Sequence, residues 1–267
     1  MKAPLSETQV VSAFREEVSA IAGHYGVSPK RVFSVVEPVE AQFELYWEMV
    51  FSSEGFELIT AGKGSELRRN LKAVALHHGL SPDTVGLFEA CSEVYPDVII
   101  GIKLPFSQVV SDAPTVYVRT KAPKESVLGF LGSRLTKDAI NGLEKVLVQN
   151  KTVYGLGFSE KDGRLYLKTY TIENVTTANG HIGEGFVSHR LSGRTISKEH
   201  KEYVPDVPLS EYRTDNARLK TLRDFLVNEM GYTHAGHIGA LYENDAFSDY
   251  KIYVERTGGI PTDYAAK

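Results

Sequence analysis

The sequence predicts an α+β protein: one large antiparallel sheet of repeated α-β-β units, closed into a ten-stranded (or eight- to ten-stranded) barrel with helices outside. Three observations predict it. Strands come as tight pairs, as in "TVYGLGF" and "RLYLKTYTI", joined through Lys161-Asp162-Gly163, a strong reverse-turn signal. Parallel winding would instead need a long crossover between successive strands. Helical segments follow most of these pairs, giving a repeat of about 50–60 residues. Finally, three second strands carry a tyrosine two residues from a cation, hence on the same face: Tyr117 with Arg119, Tyr166 with Lys168, and Tyr253 with Lys251. Each pairs with a first strand bearing an inward glycine: Gly101, Gly155 or Gly157, and Gly239.

The elements follow in order. Residues 6–24 read as a helix with Ser6 as N-cap and Glu7 in its first turn, ended by Gly26. Ser28-Pro29 starts a second, short helix. "FELYWEMVF", Phe43 to Phe51, alternates as a strand, and "SSEG" turns it into "FELIT". Residues 64–92 read as two helices, the first ended by Gly79 and the second opened by Ser81-Pro82, where proline's missing N–H costs nothing. "DVIIGIKLPF" and "TVYVRTK" pair around the loop "SQVVSDAP". Residues 124–149 read as helical, and the pair around Lys161-Asp162-Gly163 follows. Within 174–213 a faint pair, "GEGFVSHRL" and "RTISKEHKEYV", surrounds Ser192-Gly193, and the expected helix is not legible. A clear helix spans 215–230 with Asp215 as N-cap. "THAGHIGALY" and "DYKIYVERT" close the pattern. Four hairpins are thus clear. The reading is a single domain, 1–267, with a flexible polar tail over 258–267.

Composition narrows the function classes. With 267 residues, 42% hydrophobic and 24% charged, the chain is ordinary for a globular protein. A net charge of −4 argues against a large nucleic-acid footprint. Cys91 is the one cysteine, so no disulfide framework can form within the chain. The start "MKAPLSETQVVSAFREE" has no apolar core of a secretory signal, and no long apolar run suits a membrane span; a cytoplasmic location is expected.

In layout, "VIIGIKLPF…TVYVRTK" and "TVYGLGFSEKDGRLYLKTY" resemble the hairpins of the ABBA-type aromatic prenyltransferases, whose α-β-β-α repeat forms a ten-stranded barrel ringed by helices. The resemblance covers about residues 40–170 and 215–256 and rests on architecture and residue type. It implies a lumen that holds an allylic diphosphate and an aromatic acceptor. Strand lysines and arginines would bind the diphosphate, and tyrosine rings would shield the allylic cation.

The residues carry a physical case of their own. Ionising an allylic diphosphate separates a carbocation from a trianionic leaving group, so the site must supply fixed cations. Lys103, Arg119, Lys168 and Lys251 lie on separate strands and can converge. Tyr117, Tyr166 and Tyr253 can face the carbocation, each worth about 1–2 kcal/mol when desolvated. Glu44, Tyr46 and Glu48 share a face of the first strand, opposite Phe43, Leu45, Trp47, Met49 and Phe51. Glu48, nearer the middle, is the candidate base for the acceptor proton, and Tyr46 a candidate substrate contact. His237, beside Gly236 and Gly239, can also touch substrate. The same pattern also describes solvated lysines and sheet-covering tyrosines.

No metal site is legible, and His181, His189 and His200 fit no ligand spacing. No cofactor is certain; Mg²⁺ is compatible with the chemistry but not required by the sequence. There is no DDxxD run, Asp245 and Asp249 in "NDAFSDY" read as turn chemistry, and "GLGFSEKDG" sits inside a hairpin rather than before a helix. Three functions remain open: a prenyltransferase, a non-catalytic carrier of a hydrophobic anionic ligand, and an assembly protein whose sheet face is an oligomer interface.

Overall fold

The computed structural model describes residues 7–39, 46–95, 99–108, 113–176, 182–192, 195–202, 207–210, 212, 215–243 and 246–257. Seven α-helices are present among them: α1 (Glu7–His24), α2 (Pro29–Val36), α3 (Ser65–His77), α4 (Pro82–Val94), α5 (Lys124–Gly132), α6 (Lys137–Val146) and α7 (Ala217–Asn228). The strands are β1 (Tyr46–Phe51), β2 (Gly55–Gly62), β3 (Ile100–Ser107), β4 (Thr115–Val118), β5 (Ala122–Pro123), β6 (Thr152–Val153), β7 (Gly155–Lys161), β8 (Arg164–Thr176), β9 (Ile182–Ser192), β10 (Thr195–Glu202), β11 (Val207–Pro208), β12 (His234–Ala235), β13 (His237–Glu243) and β14 (Ala246–Thr257).

A large antiparallel sheet with helices packed on it is therefore present, as the hairpin pattern predicts. Hydrogen-bonded neighbours run β1-β14-β13-β10-β9-β8-β7-β4-β3-β2, and β1 pairs with β2 as well as with β14. Five hairpins contribute to this ladder. The fifth, β9–β10, is the faint pair around Ser192-Gly193, and β9 pairs directly with β8 from Thr176↔Ile182 to Leu167↔Leu191. Strands β5–β6 and β11–β12 form two small separate sheets.

Alternation sorts the sheet into two faces. Trp47, Met49 and Phe51 of β1, Phe56 and Leu58 of β2, Ile100, Ile102 and Leu104 of β3, and Leu156 and Phe158 of β7 join the main apolar core. Leu71 and Val74 of α3, Val85 and Phe88 of α4, Leu131 of α5, and Leu219 and Leu226 of α7 belong to the same core. The apolar stripe of each helix thus covers the apolar face of the strands. The intervening residues fall on the opposite, inner face.

Local signals explain the boundaries. Ser81 caps α4, its Oγ accepting from Thr84 N at 3.2 Å, and Pro82 occupies the first turn. Asp162 and Gly163 both adopt positive φ, 52° and 68°, which suits a two-residue hairpin loop between Lys161 and Arg164.

Several expectations are corrected. The stretch 124–149 is helical as expected, and it is divided in two, because Ser133 ends α5 and Thr136 caps α6, accepting from Ala139 N. The cap of α7 is Asn216, whose Oδ1 accepts from Leu219 N at 3.1 Å, rather than Asp215. Asp249 belongs to β14, although it does serve a turn: Oδ2 accepts from Ser53 N and Oγ in the β1–β2 connection. Ser6, Phe43, Glu44, His181, Asp245 and the tail 258–267 lie outside the described residues, as do the side chains of Tyr46 and His200. No helix among the described residues is long and apolar enough to cross a membrane.

Candidate anion site

Four strands meet around one carboxylate. Glu57 stands on the inner face of β2 between Phe56 and Leu58, which belong to the core. Lys103 of β3 donates to Glu57 Oε2 at 2.6 Å, and Lys251 of β14 donates to Oε1 at 3.0 Å. Lys168 of β8 is buried at 6% exposure and also acts on the Glu57 charge. The Lys168 ammonium lies 5.7 Å from the Tyr170 ring centroid. Burial alone would raise the Glu57 pKa, but Lys103, then Lys251 and Lys168, outweigh it and hold the carboxyl well below the usual carboxylate range.

Two cavities adjoin this cluster. The larger, about 440 Å³, is lined by Glu57, Lys168, Lys251, Lys161, Arg190 and Asp249 among others. Its volume falls in the usual range for small-ligand sites. The smaller, about 50 Å³, includes Glu57, Lys103, Tyr166, Thr115 and Arg190. Arg190 comes from β9 and lies opposite Lys168 in the register.

The inner face also carries an apolar group. Val50, Ile59 and Tyr253 form a small buried cluster with Tyr117 packed against it. Tyr117 lies over Gly101, its strand partner, and its hydroxyl donates to Thr60 O at 3.4 Å. A Cβ at Gly101 would stand 2.3 Å from the Tyr117 ring and 2.6 Å from Thr60 O, so the ring's position requires glycine there. His237 pairs with Tyr253 across β13–β14 and meets its ring edge-on at 6.3 Å between centroids.

Lys103, Lys168 and Lys251 are thus brought together, with Tyr166 beside Lys103. Tyr117, Tyr253 and His237 lie by the apolar group. Arg119 follows β4, and its N–H donates to Ile99 O at 2.8 Å. It sits four residues from Thr115, about 13 Å along an extended chain, and lines neither cavity. Glu48 is buried at 7% exposure opposite Ile59, and likewise lines neither. Tyr46 opposes Thr257 at the end of β1.

Sequence reasoning missed Glu57, Arg190 and Lys161. The alternation of "FELIT" was a usable signal, since it puts Glu57 opposite Phe56 and Leu58. No group of three or more histidine, cysteine, aspartate or glutamate residues suited to a metal ion occurs among the described residues. No protein-family model matches the chain, and no curated protein matches it in sequence.

Proposed function

We propose that the chain is a prenyltransferase that moves an allylic prenyl group from its diphosphate to an aromatic or similar small-molecule acceptor on the inner face of the sheet. One observation carries the reading: Lys168 and Lys251 line a cavity of about 440 Å³, Lys103 joins them across Glu57, and the apolar cluster of Val50, Ile59, Tyr117 and Tyr253 continues the same face, with Val50 opposite Glu57 and Ile59 opposite Lys103 in the register. Such an arrangement suits a ligand with an anionic head and an apolar chain.

In this reading the ten-stranded ladder is the wall of a reaction chamber. Lys103, Lys168 and Lys251 hold the diphosphate, and Arg190 and Lys161 border it. The allylic C–O bond breaks and its electron pair leaves with the diphosphate, where the fixed cations offset the developing charge. The carbocation faces Tyr117 and Tyr253, whose rings stabilise it and keep water away. A nucleophilic carbon of the acceptor forms the new C–C bond, and its proton passes to Glu48.

The test pairs binding with turnover. Dimethylallyl and geranyl diphosphate are titrated calorimetrically, and an acceptor panel is assayed by mass spectrometry with and without Mg²⁺. Lys168→Ala should weaken diphosphate binding and lower turnover together. Glu48→Gln should lower turnover about 100-fold with diphosphate affinity nearly unchanged, as expected for lost proton transfer. Equal affinity losses in both variants contradict this division of labour, and absence of diphosphate binding by the wild type refutes the reading.

A second reading, a non-catalytic carrier of a hydrophobic anionic ligand, is favoured by the placement of Glu48 away from both cavities. A ligand that co-purifies in native mass spectrometry, without turnover of any acceptor, would select it.

A further inference from the structure

We propose that Glu57 is a built-in counter-ion that occupies the lysine cluster while the site is empty and competes with the incoming anion. The inference rests on the diphosphate reading of the same cavity and assigns a residue that reading leaves without a role.

The geometry supports this directly. Each Glu57 carboxylate oxygen takes a different lysine, Oε2 from Lys103 and Oε1 from Lys251. The two lysine side chains are 9% and 12% exposed, and the Glu57 side chain is 18% exposed. Ammonium groups so far from bulk water need a partner when no ligand is bound. A carboxylate bridging two of them resembles one phosphoryl group bridging the same pair, and it borders both cavities. A polyanion entering the larger cavity meets Glu57 beside Lys168 and Lys251. It must share or take over those lysines, and the glutamate charge opposes it at short range, where an effective dielectric near ~20 still leaves a sizeable repulsion.

Glu57 therefore does two opposed things. It holds the lysine side chains in place in the empty protein, and it sets an upper limit on how tightly an anion binds. A merely structural carboxylate would do only the first. Its removal would loosen the site and weaken binding. A competing counter-ion predicts the reverse for affinity: a less stable protein that binds anions more tightly.

The experiment uses inorganic pyrophosphate as the probe, with calorimetric titration at fixed ionic strength and thermal unfolding of the full chain. Glu57→Gln should melt lower than wild type without pyrophosphate, bind pyrophosphate about tenfold more tightly, and gain more thermal stabilisation from a saturating dose. A cycle with Lys251 provides a second line should the single variant fold poorly. Lys251→Gln should bind about tenfold more weakly, whereas Glu57→Gln combined with Lys251→Gln should return close to wild-type affinity, because the pair cancels. Equal or weaker binding by Glu57→Gln, or a double variant as weak as Lys251→Gln alone, overturns the proposal while the diphosphate reading stands. Failure of both the wild type and Glu57→Gln to bind pyrophosphate overturns the proposal, and failure of the wild type to bind allylic diphosphates overturns the reading on which it rests.

Discussion

Replacing Glu57 by glutamine keeps its size and removes one charge from between two sheltered lysines. The loss at pH 7 should be about 3 kcal/mol, within the range for breaking such a pair, and urea unfolding would measure it. The pH dependence has a definite sign. The folded carboxyl lies below its ordinary value of 4.5, so its stabilisation is complete above that pH and fades as the pH falls below it. The gap between wild type and variant should close on acidification below pH 4.5, and a constant gap would contradict the pairing. Gly101→Ala tests the inner face differently. Its methyl would press on the Tyr117 ring and on the Thr60 carbonyl, a backbone atom, costing about 1–3 kcal/mol in the same assay. The lysines were legible in the sequence because alternation along each strand fixes their face. Glu57 was harder to see. Its neighbours are Lys103 and Lys251, and only the pairing of β2 with β3 and β1, and of β1 with β14, brings these together.

Helix α7 shows how far sequence signals reach at the scale of an element. Two adjacent residues, Asp215 and Asn216, can each cap it, and composition does not choose between them. The backbone does: Asn216 is extended, with φ −76° and ψ 115°, and its side chain reaches Leu219 N. Asn216→Ala should cost about 1 kcal/mol, whereas Asp215→Ala, at an exposed position, should change stability by under about 0.5 kcal/mol. Thermal unfolding of the two variants separates them, and a larger loss for Asp215→Ala would reverse the assignment. The helical reading of 124–149 leaves an internal boundary unplaced for a related reason. Thr136 is a helix-start residue inside a helical pattern, and its signal was outweighed by the apolar positions around it. Strands β9 and β10 were faint because "RTISKEHKEYV" lacks a clean apolar alternation and because β8 joins β9 edge to edge, breaking the rhythm of helix after hairpin. The four other hairpins were legible because apolar alternation and turn residues agreed.

At the scale of the molecule, the strands nearest the two ends of the ladder in sequence are neighbours in space. Ser53 and Asp249, 196 residues apart, are hydrogen-bonded, and β1 pairs with β14 from Tyr46↔Thr257 to Phe51↔Ile252. Contacts of such separation form late, because the closure entropy precedes any reward from packing. In pulse-labelled refolding, amides of β1 that pair with β14 should gain hydrogen-exchange protection after those of the β7–β8 hairpin. Simultaneous protection would contradict this order. The same adjacency reaches the candidate anion site, since Glu57 and Lys251 are 194 residues apart and come from opposite sides of that seam. A polypeptide still emerging from the ribosome can fold its early hairpins but cannot assemble the complete lysine cluster until residue 251 has left the exit tunnel. Under the proposed function, a chain cut short before Lys251 keeps its early hairpins, lacks one of the two lysines that hold Glu57, and leaves β1 without its β14 partner for chaperones and proteases to recognise.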